Sequence, residues 1–290
     1  MARLIQMRQR IKAIETIKKV THAMRLISMS MHSRLRSKMP LLKNYNNHVA
    51  KLFKKLQHVA PDWKSPITHP QEPQDSNPLF ILVGSQKGLC GTFNTGLLKE
   101  FEKIMTPETL ENTHFISVGK KAVDYLEKKK VKSTVKKFDE ITMRNFTTIS
   151  NEIVDIIVHA KTPYTCVQVL SNELKTFFLQ HPRTVQIIPL ETKSTTDQSN
   201  SQENKTLDND YIWYQDPHDL LDHMAPQYVA SNINTVLMES LLAEQAARFL
   251  SMDTATRNAK NLLEETTLLY NKLRQAKITK ELTELATNFQ

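Results

Sequence analysis

LIQMRQRIKAIETIKKVTHAMRLISMSMHSRLRSKMPLLKNYNNHVAKLFKKL, residues 4–56, is the stretch that decides the fold. Steps of three or four along it land on Leu4, Met7, Ile11, Ile14, Ile17, Val20, Met24, Ile27, Met31, Leu35, Met39, Leu42, Tyr45, Val49, Leu52 and Leu56, every one apolar. Strides averaging about 3.5 residues mark a coiled-coil seam, because such a stripe winds slowly round a helix and can follow a partner. Unbroken, the segment would span roughly 80 Å, more than one globular core can cover. It therefore needs a partner helix along most of its length.

The comparable segment runs from Pro217 to Phe289, with Asp216 as N-cap and Pro217 at the first helical position. Leu262, Leu269, Leu273, Ala276, Leu282, Leu285 and Phe289 mark its distal stripe. The two helices are expected to pair antiparallel, the start of the first lying near residues 250–275 of the second. Pro40 predicts a kink near residues 36–40.

Between the helices strand and helix alternate. Prolines 61, 66, 70, 73 and 78, with polar residues between, mark a linker. The apolar run 79–83, bounded by Gly84, reads as a buried strand. Further strands are expected at 114–119, 131–138, 165–171 and 184–190. Helices are expected at 94–105, from about 120 through Lys128, and at 149–161. This order argues for a mainly parallel sheet with covering helices. Residues 193–210 are almost wholly polar and read as a loop or insertion. The expected fold is α/β plus long helices: an antiparallel coiled coil of terminal helices with an inserted Rossmann-like α/β domain. Its parts are the helix 1–60, linker 61–78, α/β domain 79–192, polar connection 193–216 and helix 217–290.

Net charge is +9 and unevenly placed. Residues 1–60 hold 14 Lys/Arg against the single acid Glu15, whereas residues 61–216 and 217–290 are each slightly acidic. A solvated face or a nucleic-acid patch are possible readings of such a block. The seam running through the charges, without aromatic or Gly-rich recognition elements, favours an acidic protein surface instead. No run approaches the 18 apolar residues of a membrane span. Cys90 and Cys166 are too few for a disulfide framework.

The turn 84–91, GSQKGLCG, stands where nucleotide phosphates often bind, yet it matches neither of the common phosphate-loop patterns. Positive φ in a tight turn accounts for Gly84, Gly88 and Gly91 as structural residues. Cys90 is read as a small packed residue and not a reactive thiol. The ten histidines show no metal-ligand spacing and no nucleophile motif occurs. No catalytic residue, cofactor or metal is expected.

RQRIKAIETIKKVTHAMRLIS (8–28), GSQKGLCGTFN (84–94) and LLAEQAARFLSMDTATRNAKNLLEETTLLYNKLRQAKITKELTEL (241–285) resemble the γ subunit of F-type ATP synthases, in order and over the whole chain. The family patterns are near I-x-x-T-x-[KQ]-[IV]-T-x-A-M, S-D-[RK]-G-L-C-G and R-Q-A-x-I-T-x-E-[LI]. Since the match begins at residue 3, the basic start is expected to be mature protein and not a presequence. The resemblance implies a central shaft turning inside three α and three β subunits, with a foot on the ε subunit and the membrane c-ring. ATP chemistry would then lie in the β subunits, whose acidic helix-turn meets the basic helix. Nucleic acid is not an expected partner, and the expected location is peripheral, on the cytoplasmic face of a bacterial inner membrane.

Carried over residue by residue, Met24, Arg274, Gln275, Thr279 and Glu281 are expected at the β-ring interface, together with Arg25. Arg25 stands where the family commonly has Glu, Met31 where it has Lys, and Gln86 where it has Asp. Tyr214 and Gln215 replace Glu and Pro where the foot, with Tyr211 and Trp213, meets the membrane ring. If Met24 lies on the seam, Arg25 flanks it, and its partner is expected to be a β-subunit carboxylate or Asp253, Glu264 or Glu265. The rival functions are a basic coiled coil that binds nucleic acid and a nucleotide-binding α/β protein using the turn 84–91.

Overall fold

The structure, a computed structural model, describes residues 2–65, 77–131, 133–160, 162–189 and 214–288. The chain divides into two compact units. Met1–Ser33, Leu89–Gly91 and Gln245–Gln290 form one, and Arg34–Gly88 with Thr92–Glu244 form the other. The long helices α1 (Ala2–Val59) and α6 (Pro217–Asn288) contribute to both.

The larger unit is built on a five-stranded sheet in the order β3-β2-β1-β4-β5. Its strands are β1 (Pro78–Val83), β2 (His114–Val118), β3 (Thr134–Phe138), β4 (Cys166–Thr176) and β5 (Leu179–Ile188). The pairs β1–β2, β1–β4 and β2–β3 are parallel, and β4–β5 is antiparallel. Helices α2 (Phe93–Ile104), α4 (Lys120–Lys128) and α5 (Phe146–Val158) are the crossovers, with the short α3 (Pro107–Asn112) before β2.

Successive side chains of a strand point to opposite faces, and β1 shows why its sequence is apolar throughout. Leu79, Ile81 and Val83 enter one core with Ile149 and Ile153 of α5, Leu35 and Met39 of α1, and Val229, Ile233 and Leu237 of α6. Phe80 and Leu82 enter the other core with Leu97 and Phe101 of α2 and Ala122 and Leu126 of α4. The terminal helices thus cover one face of the sheet within this unit. Phe53, Leu56, Ala60, Trp63, Leu221 and Ala225 form a third cluster where α1 ends and α6 begins. There the Phe53 ring stacks on Tyr228 at 4.9 Å and meets Trp63 edge-on at 5.9 Å.

Several expectations change in detail. The stretches 165–171 and 184–190 are longer strands than their sequence suggested, and they form one antiparallel hairpin turning at Phe177 and Phe178. Helix α1 continues across Pro40 without a break. α5 begins three residues earlier than expected and ends at Val158. The linker beyond residue 65 and the polar stretch 193–210 lie outside the described residues. Asp216 does cap α6: its carboxylate accepts the His218 backbone N–H at 2.9 Å.

The seam needs the largest correction. In the smaller unit α1 and α6 run antiparallel: Thr21 meets Thr256 at 3.0 Å, and Arg25, further along α1, meets Asp253, earlier in α6. Leu4, Met7, Ile11 and Ile14 lie on the packed side as expected, but the stripe then passes through Lys18, Thr21, Arg25, Ser28 and His32. Ile17, Val20 and Ile27, expected in the seam, are more than half exposed. Tyr45 and Leu52 are also exposed, and Phe53 is buried in their place. On α6 the packed positions are Met252, Thr256, Ala259, Leu263, Thr266, Tyr270 and Leu273. Leu262, Leu269 and Leu282 face outward and Ala276 is exposed, while the side chains of Leu285 and Phe289 lie outside the described residues. From Ile14 a strict 3.5 repeat leads to Lys18 and Thr21, whereas following hydrophobicity leads to Ile17 and Val20. The two routes differ by one residue, or about 100° of helix. Backbone geometry sets which side faces the partner helix, so the apolar residues off that line are turned outward.

Candidate functional site

The outward face of the smaller unit's helical pair concentrates what this chain can offer a partner. On α1 it presents Ile5, Ile17, Val20, Leu26, Ile27 and Met29. On α6 it presents Leu262, Leu268, Leu269, Ile278 and Leu282. Lys and Arg interleave the α1 group, with Arg8, Arg10, Lys12 and Lys19 exposed. Exposed large apolar side chains in this number on one helical pair mark a candidate interaction surface, with Val20 and Ile27, seven residues apart, in line on α1 and Leu262 and Leu269 in line on α6.

Beneath that face the pair is held by polar contacts. Arg25 Nη1 donates to Asp253 Oδ1 at 2.7 Å, and its Nη2 lies 3.2 Å from His22 Nδ1. Arg257, one turn along α6, donates to the other Asp253 oxygen from Nε at 3.0 Å. The Arg257 guanidinium, and after it that of Arg25, hold the Asp253 carboxyl below the usual carboxylate range. Of the three in-chain carboxylates expected near Arg25, Asp253 is the one that pairs with it. Arg25, not Met24, continues the strict repeat, and Met24 is half-buried beside it.

The other expected interface residues are exposed on α6. Thr279 donates its hydroxyl to the Gln275 carbonyl at 3.1 Å, and Glu281 pairs with Lys277 at 3.3 Å. Arg274 is solvent-facing. Of the expected foot residues, Tyr214 is fully exposed, and Tyr211 and Trp213 lie outside the described residues. Hydropathy could not have found Lys18, Thr21, Ser28 and His32 as packed positions. Extending the repeat set by Leu4, Met7, Ile11 and Ile14 finds all of them.

The turn after β1 is occupied by its own side chains. Asn94 accepts the Ser85 N–H at 3.1 Å and donates to the Ser85 hydroxyl at 2.8 Å, and that hydroxyl donates to the Lys87 carbonyl. Only Gly91 among its glycines has positive φ, at +59°. Gly84 is required for another reason, since a Cβ there would stand 2.9 Å from the Ala122 nitrogen. Gly88 needs neither, and Leu89 takes the second positive φ. Asn94 thereby takes up the Ser85 amide, one of the N–H groups that a phosphate at this turn would use. Among the described residues no group of His, Cys, Asp and Glu is placed to hold a metal, and no helix is long and apolar enough to cross a membrane.

The ATP synthase family profile matches residues 3–290. The ATP synthase gamma chain of Christiangramia forsetii is 29% identical over 288 residues, covering 98% of this chain and 97% of its own length. That of Chlorobium limicola is 28% identical over 294 residues, covering 98% and 97%. Among solved structures, the central stalk and c-ring of the Tetrahymena thermophila mitochondrial ATP synthase contains a similar chain, with TM-score 0.60 and 18% identity over 81% of this chain and 99% of that one. A chain of the Euglena gracilis mitochondrial assembly of OSCP, F1 and c-ring gives 0.57 and 15%, covering 92% and 94%.

Proposed function

The chain belongs to the ATP synthase family, and we propose that it is the γ-type central shaft of an F-type ATP synthase, coupling rotation of a membrane ring to conformational cycling of catalytic β subunits. The observation that carries this reading is the outward apolar face of Ile17, Val20, Ile27, Leu262 and Leu269 on a helical pair already held together beneath it. A shaft needs a bonded interior that resists twisting and an asymmetric exterior that each catalytic subunit meets in turn. Basic α1 residues suit an acidic surface on the β subunits, and Met24, Arg25, Arg274, Gln275, Thr279 and Glu281 supply specific contacts.

In this reading helices 1–60 and 217–290 are the shaft and the α/β domain 79–192 is the foot. The foot, with Tyr211, Trp213 and Tyr214, meets the ε subunit and the c-ring. The chain is a non-catalytic, peripheral subunit of the complex on the cytoplasmic face of a bacterial inner membrane, joined to three α and three β subunits. In this reading ATP is bound and made in those partners.

Co-expression with α and β subunits of the same source tests this reading. A tagged chain should recover both subunits in a complex that hydrolyses ATP, while the chain alone binds no nucleotide in calorimetry. Micromolar nucleotide binding lost in Lys87→Ala, without recovery of either subunit, would replace the shaft by a nucleotide-binding protein.

A further inference from the structure

Where α1 has ended and α6 begins, one imidazole lies between two carboxylates. Asp216 Oδ1 accepts the His218 backbone N–H as the helix cap and lies 3.1 Å from His218 Nδ1. Asp62 Oδ1, three residues beyond α1, lies 3.3 Å from His218 Nε2. Both neighbours are acceptors. A neutral imidazole carries a single N–H and can satisfy only one of them, whereas an imidazolium donates from both nitrogens. The arrangement of two acceptors about one ring suits the imidazolium.

We propose that His218 is a proton-operated tie, joining the segment that leaves α1 to the N-terminus of α6 when charged and releasing one of its two carboxylates when neutral. A helix N-terminus disfavours a cation, so the two carboxylates must outweigh the helix dipole. They do: the hydrogen bond to Asp216 first, with Asp62 adding to it, raises the His218 pKa above its ordinary value. The remaining charged groups of these two segments are His58, Lys64, Asp219, Asp222 and His223. Asp222 receives the Trp63 indole N–H at 2.9 Å, a second link between the same segments that needs no titrating donor.

The contribution of the tie is complete below the ordinary imidazole value of about 6.5 and is lost as pH rises through the higher native value. The junction itself persists, because Phe53, Leu56, Trp63, Leu221 and Ala225 pack beneath it at any pH. The tie adjusts a joint that apolar contacts hold.

NMR titration of the imidazoles in the full chain, with His218 assigned through His218→Gln, tests the proposal. The His218 midpoint should lie above about 6.5 and fall in both Asp62→Asn and Asp216→Asn. Asn also serves as an N-cap, so the second variant keeps its helix start. Trp63→Phe should leave the midpoint where it is. A wild-type midpoint at or below the ordinary value overturns the tie, as does an unmoved midpoint in either Asn variant. A fall of the same size in Trp63→Phe would mean general loosening of the junction and would also overturn it.

Discussion

Arg25 shows how much one side chain decides in a helical seam. Its guanidinium lies in the packed stripe, with side chains of Arg25 and Asp253 only 28% and 15% exposed. Such a partly screened pair contributes about 1 kcal/mol at most, but it also fixes which turn of α6 lies opposite which turn of α1. Arg25→Glu should set two carboxylates against each other and lower the thermal midpoint of the isolated chain by a few degrees. The double change Arg25→Glu with Asp253→Arg should recover part of the loss, since it restores opposite charges on the same contact while giving up the Arg257 pair. A double variant no more stable than the single would mean the pair has no coupling. Because the Asp253 pKa is depressed, its contribution is present above the ordinary carboxylate value of about 3.9 and is lost as pH falls through the lower native value. The stability gap between wild type and Asp253→Asn should therefore stay constant from about pH 5 to 8 and close only in stronger acid. Asp253 was legible as a partner from spacing alone, one of three acids at the right distance along α6. That Arg25 would occupy the seam itself was not, because a long cation at such a position contradicts the apolar pattern on which seam reading depends.

The long elements were legible and their faces were only half so. Helix existence follows from a sustained period, and the buried run of β1 follows from its two covered faces. The β4–β5 hairpin was missed because its tip, Lys175 to Leu179, carries no Gly, Asn or Pro turn signal. The α3 helix is six residues long, too short to show a period. The α1 seam drifted off its true line after Ile14 because two demands compete for the apolar residues there, one from the partner helix and one from the outward face. The contrast between neighbours tests this directly. Ile14 is 5% exposed and Ile17 is 53% exposed. Ile14→Ala should remove about 2–5 kcal/mol from the isolated chain. Ile17→Ala should change it by under about 0.5 kcal/mol. Equal losses in thermal unfolding would restore the purely apolar seam and remove the outward face. Within an assembled complex the order should reverse, with Ile17→Ala the more damaging to ATP turnover.

At the scale of the whole molecule, the proposed reading divides the chemistry between subunits. The chain contributes a bonded helical pair, a basic apolar face and a sheet domain. Membership of the family accounts for the long helical pair: a rotor shaft carries torque along it. The central claim is that this chain turns inside a ring of α and β subunits. The direct test is to anchor the ring of the reconstituted complex to a surface, fix a bead to the α/β domain, and supply ATP. The account predicts unidirectional rotation of the bead in three equal steps per turn, slowed or stalled when Ile17, Val20 and Ile27 are replaced by Asp. ATP hydrolysis by an intact, chain-containing complex with no net rotation of the bead would contradict it.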